Sequence, residues 1–195
     1  MIVVTGATGH LGRLVVEGLL AKVPPGRIVA AVRSPEKAAD LAAKGVVVRR
    51  ADYTMPETLP AVLDDAEKVL LVSSSEVGKR AEQHLAVLKA AKQARVPLLA
   101  YTSLLRAGTS RMGLAAEHKA TEDAIRASGS SVWSRRASWA MVAARPRRRL
   151  TIRPIAFVRL AVLFIYDVFV AAFQIVRVIL AGRTPREAII RVQTL

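Results

Sequence analysis

The chain has no cysteine. That excludes disulfides, thiolate-ligated zinc and cysteine nucleophiles, and it suits a reducing cytoplasm. The opening residues, MIVVTGATG, lack a basic n-region and a small-residue cleavage site, so they are not expected to act as a signal peptide. Acidic residues run out along the chain. Residues 1–134 hold 18 Lys+Arg and 13 Asp+Glu, whereas residues 135–195 hold 12 arginines, two acids, no lysine and no histidine. The stretch RRASWAMVAARPRRRL at 135–150 carries six arginines and no acid. A shift this abrupt points to two segments of different character, so the net charge of +15 is a poor guide to partners. RPRRR lacks interleaved stacking aromatics and a recognisable binding fold, and nucleic acid is not expected as a partner. The length of 195 residues allows one ordinary domain, or a domain with an appendage.

What is present is a regular alternation. Apolar runs at 2–5, 27–33, 46–50, 68–74 and 96–103 each precede an amphipathic helical stretch, at 10–23, 35–44, 56–65, 78–94 and 114–128. The runs are rich in Val and Leu without polar alternation, the mark of strands buried on both faces. The pattern predicts an α/β fold: a Rossmann-like parallel sheet with helices on both faces.

The sharpest motif is TGATGHLG, with glycines at 6, 9 and 12 between the first strand and the first helix. In that setting Gly6 serves the tight turn, Gly9 the approach of a pyrophosphate and Gly12 close helix–sheet packing. Free N–H groups at the helix start favour phosphate. The second strand ends in VRSPEK, with Arg33 where an NAD-selective site carries an acid. A cation there favours NADP, through its 2′-phosphate. Asp52 and Tyr53, Ser73 to Ser75, and Tyr101, Thr102 and Ser103 follow or end later strands, where ligands of such sheets bind. For the serines, capping of the helix that follows is an equal alternative. His84, inside a helix pattern, reads as a surface residue.

MIVVTGATGHLG, VAAVRSPEKA, RRADY, LLVSSSEVGKRAEQH, and LLAYTSLLRA followed by AEHKATE resemble the NmrA-like atypical short-chain dehydrogenases of the NADPH-dependent quinone oxidoreductase type, over about residues 1–129. The resemblance implies an enzyme that transfers hydride from NADPH to a quinone, and the expected location is the cytoplasm, with membrane association through the C-terminal segment. Gly6, Ala7, Thr8, Gly9, His10, Leu11 and Gly12 would line the diphosphate and Arg33 the 2′-phosphate. Ser73, Ser74, Tyr101, Thr102 and Ser103 would flank the nicotinamide. A Tyr-x-x-x-Lys pair is missing: His118–Lys119 stands in AEHKATE without the tyrosine. Lys119 or His118 remains as a group to protonate or orient a substrate oxygen. No metal site is expected.

After residue 129 the family pattern would continue with a sixth strand and well over a hundred residues of substrate lobe. Here it gives way to the arginine-rich stretch, so the expectation is a truncated enzyme, with activity in doubt through loss of that lobe. Residues 1–134 read as the nucleotide domain, 135–152 as a basic seam and 153–195 as a long apolar C-terminal helix with a short tail. Residues 154–182 are long enough to cross a bilayer, although Arg159, Asp167, Gln174 and Arg177 interrupt the apolar runs. A spanning helix, an interfacial helix and a helix docked on the sheet are all open, with membrane association the leading expectation. Residues 152–195 also resemble the E subunit of multisubunit cation/proton antiporters. The rival to the enzyme is therefore a non-catalytic chimeric chain with an accessory membrane helix.

Overall fold

The computed structural model describes residues 1–104, 106–128, 132–133, 172–173, 175–177, 179–180 and 187–192. Strands β1 (Ile2–Thr5), β2 (Ile28–Val32), β3 (Val47–Arg50), β4 (Lys68–Leu71) and β5 (Leu98–Leu104) alternate with helices α1 (His10–Leu20), α2 (Ala39–Ala43), α3 (Leu59–Leu63), α4 (Arg80–Gln93) and α5 (Ala115–Ala127). Two later strands, β6 (Val132–Trp133) and β7 (Glu187–Val192), complete a parallel sheet of order β3-β2-β1-β4-β5-β7-β6. The first five units are the predicted ladder, and β1 is flanked by β2 and β4.

The apolar strands serve two cores at once. Ile2, Val4, Ile28, Ala30, Val32, Leu70 and Ala100 pack on one face with Val15, Val16 and Leu19 of α1 and Leu41 of α2. Their neighbours Val3, Val29, Ala31, Val69, Leu71, Leu99 and Tyr101 pack on the other, with Leu59, Val62 and Leu63 of α3, Val87 of α4 and Ile125 of α5. Successive side chains of a strand point to opposite faces, which is why these strands read as unbroken apolar runs.

The expectation of a long apolar, membrane-associated helix is corrected in its described part. Ala172, Ile175, Val176 and Ile179 lie at helical spacing and are buried in the α1-side core. A Cβ added at Gly18 would meet Val176 Cγ2 at 3.0 Å, and Lys68 Nζ donates to the Ile179 carbonyl at 2.7 Å. The apolar stripe that could have faced lipid instead covers the first face of the sheet, which a parallel sheet needs covered. Among the described residues no helix is long and apolar enough to cross a membrane. Residues 187–192, expected as a short tail, form β7 beside β5 in the register Tyr101–Ile189 and Ser103–Arg191. The likeness to antiporter E subunits gains no support from this arrangement. The basic seam at 135–152 lies outside the described residues.

Candidate functional site

The glycine turn rises from the carboxyl end of β1. Gly6 has φ +60, the left-handed region that glycine adopts at no steric cost. The Gly9 N–H donates to the Gly6 carbonyl at 2.9 Å and closes the turn. A Cβ at Gly12 would stand 2.3 Å from the Gly6 carbonyl oxygen and 2.9 Å from Ala7 Cα, so the helix lies directly on the turn. At Gly9 a Cβ would approach Gly6 O to 3.2 Å. Ala7 is buried, Thr8 and Leu11 are half-buried, and Gly6, Gly9 and His10 are exposed. Gly9 caps α1 without any side-chain hydrogen bond, and the first turn holds no acid. Among the described residues no carboxylate bonds the amide donors at that helix end, the condition for holding a phosphate.

Arg33 follows β2 and is exposed, with its Nη1 3.3 Å from Glu76 Oε1. Asp52 folds back on itself by accepting the Thr54 N–H and hydroxyl. Burial opposes its charge, but the Thr54 hydrogen bonds and the nearby Arg33 and Arg50 outweigh that and hold its carboxyl below the ordinary range. Tyr53 reaches over β1 and donates to Thr5 Oγ1, while Thr5 donates to the Leu70 carbonyl and accepts from the Val72 N–H. Burial pushes the Tyr53 phenol upward, so it stays protonated.

The loop after β4 is fastened from below. The Ser73 N–H donates to Thr102 Oγ1 at 2.8 Å and the Ser74 N–H to His84 Nε2 at 2.9 Å. Ser74 Oγ donates to Gln83 and accepts from the Glu76 N–H. These serines do not cap α4, whose cap position is Lys79 with no side-chain bond. His84 is not a surface residue either: it is fully buried. Its Nε2 accepts from Ser74, so Nδ1 carries the proton, and Nδ1 lies 3.0 Å from the Thr121 hydroxyl. Thr121 in turn donates to the Glu117 carbonyl. Arg80 joins the same network. Its Nε donates to the Ser74 carbonyl, and its Nη1 pairs with Glu117 at 2.7 Å with both side chains largely buried.

Tyr101 and His118 form a buried pair, hydroxyl to Nδ1 at 2.7 Å. Burial pushes Tyr101 up to about 12. Burial first, and Arg80 second, lower His118. Ser103 donates to the buried Glu122 at 2.7 Å, and Glu122 also accepts from Arg126. Lys119 is exposed and ion-paired with Asp123 one helical turn on. A side chain added at Gly108, in the turn after β5, would meet Lys119 Cε at 3.8 Å.

The structure thus brings the glycine turn, Arg33 and the β4 loop to one edge of the sheet. It turns the Tyr101, Thr102 and Ser103 side chains to internal partners. Sequence reasoning placed Tyr53 among the strand-end positions and His84 on the surface, and it missed Thr5, Arg80, Glu117, Thr121 and Glu122. A signal existed: Arg80 and His84 stand four apart on α4, and Glu117, Thr121 and Ile125 stand four apart on α5, which is the spacing of facing helix stripes.

The NAD(P)H-binding family matches residues 6–145, which reaches into the arginine-rich stretch. The chain belongs to that family. Quinone oxidoreductase 2 of Escherichia coli (strain K12) is 55% identical over 129 residues, covering 66% of this chain and 45% of that protein. The crystal structure of the E. coli NADPH-dependent quinone oxidoreductase in complex with NADPH matches with a TM-score of 0.64, at 66% coverage of this chain and 46% of that one. Triphenylmethane reductase of Citrobacter sp., complexed with NADP(H), matches with a TM-score of 0.64 at 45% identity over the same shares. The chain spans less than half the length of these relatives. The NmrA-like resemblance read from the motifs is supported.

His84 gives the site a pH dependence. Burial, then His118 and Arg80, lower its pKa from 6.5 to about 3. The unfolded chain takes up this proton near pH 6.5 and the folded chain does not, so the contribution is full above pH 6.5 and is lost as pH falls toward 3. Between pH 7 and pH 5 His84 alone is expected to withdraw about 2 kcal/mol of stability. Urea unfolding at the two pH values measures it. His84→Gln, which keeps an acceptor for Ser74, is expected to flatten the difference, and an unchanged difference in that variant contradicts the assignment.

Proposed function

We propose that the chain is an NADPH-dependent oxidoreductase of the quinone-reducing type. The observation that carries the reading is Gly12, where helix α1 lies on the Gly6 carbonyl with no room for a side chain and presents an uncapped N-terminus. That cradle fits a pyrophosphate. Gly6 to Gly12 would bind it, and Arg33 would take the 2′-phosphate. Ser73 and Ser74 would form the nicotinamide side of the crevice on a backbone fixed by Thr102 and His84. Tyr101, Thr102 and Ser103 would support that wall from inside. The chemistry supplied by the bound coenzyme is hydride donation, and a quinone accepts it with little acid help because its ring becomes aromatic. Of the two residues read as proton donors, His118 is committed to Tyr101, whereas Lys119 is exposed beside the turn after β5 and paired only with the exposed Asp123 among the described residues, which leaves it the better candidate.

Residues 1–134 would be the coenzyme unit and 135–152 a basic connection. Ala172, Ile175, Val176 and Ile179 would serve as the cover of the α1 face. One observation favours a second reading, a nucleotide-binding chain without turnover: the relatives extend over more than twice the matched length. An assay of quinone-dependent NADPH oxidation separates the two. Turnover that falls in Lys119→Ala with an unchanged KM for NADPH supports the enzyme. NADPH binding without turnover supports the second reading, and failure to bind NADPH overturns both.

A further inference from the structure

Arg33 and Glu76 come from opposite sides of β1. Arg33 follows β2 and Glu76 follows β4, and β1 lies between those strands. Their ion pair, 3.3 Å from Nη1 to Oε1, therefore reaches across the carboxyl end of β1, from which the Gly6–Gly12 turn rises. The two halves of the pair are not equally free. Glu76 Oε2 accepts from Gln83 Nε2 at 2.8 Å, and its own N–H donates to Ser74 Oγ. Gln83 is buried and also accepts the Ser74 hydroxyl, so the carboxylate is built into the β4 loop. The Arg33 side chain is 69% exposed, and among the described residues Glu76 is the one group it hydrogen-bonds.

We infer that Glu76 is a specificity-determining residue of the coenzyme site, which holds Arg33 in the ligand-free chain and competes for it with the 2′-phosphate of an NADP-type dinucleotide. The inference rests on the NADPH reading above. A cation at the end of the second strand is the partner of that phosphate. An arriving phosphate meets an Arg33 already paired, beside a fixed carboxylate of like charge. Arg33 must exchange one anion for another while Glu76 stays in place. NAD carries no 2′-phosphate, so Glu76 does not compete with it for the Arg33 cation. Glu76 therefore weakens NADP selectively, and it narrows the discrimination that Arg33 creates. Because the pair is exposed, the effect is modest, about two- to fivefold in affinity.

Calorimetric titration of the full chain with NADP+ and with NAD+ tests this in wild type, Glu76→Gln, Arg33→Met and the double variant. Glu76→Gln keeps an acceptor for Gln83 and is expected to fold; Glu76→Ala is the second variant, and urea midpoints monitor both. The expected result is NADP+ affinity raised about two- to fivefold with NAD+ unchanged, and a smaller gain when Arg33 is methionine. NADP+ affinity that is unchanged or lowered, while wild type prefers NADP+ through Arg33, overturns the role of Glu76 alone. A wild type that does not prefer NADP+, or an Arg33→Met that keeps the preference, overturns the NADPH reading and this inference with it.

Discussion

Gly12→Ala is expected to lower stability by about 3 kcal/mol and to abolish NADPH binding. The added Cβ would sit 2.3 Å from the Gly6 carbonyl oxygen, 2.8 Å from its carbon and 2.9 Å from Ala7 Cα. All three are backbone atoms of the turn itself, so no side chain can swing aside. Either α1 lifts from β1, exposing Val15, Val16 and Leu19, or the turn deforms. Both outcomes displace the amide donors of His10, Leu11 and Gly12 at the helix start. Gly9→Ala makes the milder comparison, since its Cβ would stand 3.2 Å from the same oxygen. A urea titration and an NADPH titration of both variants check the ordering. Equal behaviour of the two would contradict the packing account.

The second large effect lies beneath the β4 loop. Arg80→Met is expected to cost about 3–5 kcal/mol, because it leaves Glu117 charged and largely buried without its partner. Arg80 is 5% exposed and also donates to the Ser74 carbonyl, so the loss extends to the loop that would face the nicotinamide. Removing both charges, in Arg80→Met with Glu117→Gln, should recover a substantial part of the loss, since no buried charge then stands alone. Equilibrium urea unfolding of the two single variants and the pair measures this. A cost below about 1 kcal/mol for Arg80→Met would place the pair among ordinary surface bridges.

The sheet was legible because burial on both faces leaves a direct trace in composition. Each of β1, β2, β4 and β5 is an apolar run, and the glycine turn sits where the first run meets the first helix. The polar network was less legible. His84 stands among alanines, lysines and glutamines on α4, and only its fold partners, Ser74 on one side and Thr121 on the other, make it a buried neutral base. The serines after β4 could cap a helix or shape a loop, and the helix start at Arg80 decided for the loop. The apolar stripe at 172, 175, 176 and 179 has the same periodicity whether it meets lipid or protein. Lys68 and Gly18, more than a hundred residues earlier, supply the partner surface, and no local pattern could reveal them.

The most direct measurement is a fluorescence titration of the full chain with NADPH and, in parallel, with NADH. The glycine cradle and Arg33 predict saturable binding of both, with NADPH tighter by about tenfold, the worth of one charge-assisted pair to the 2′-phosphate. Equal affinity for the two, or no binding of either, would contradict it.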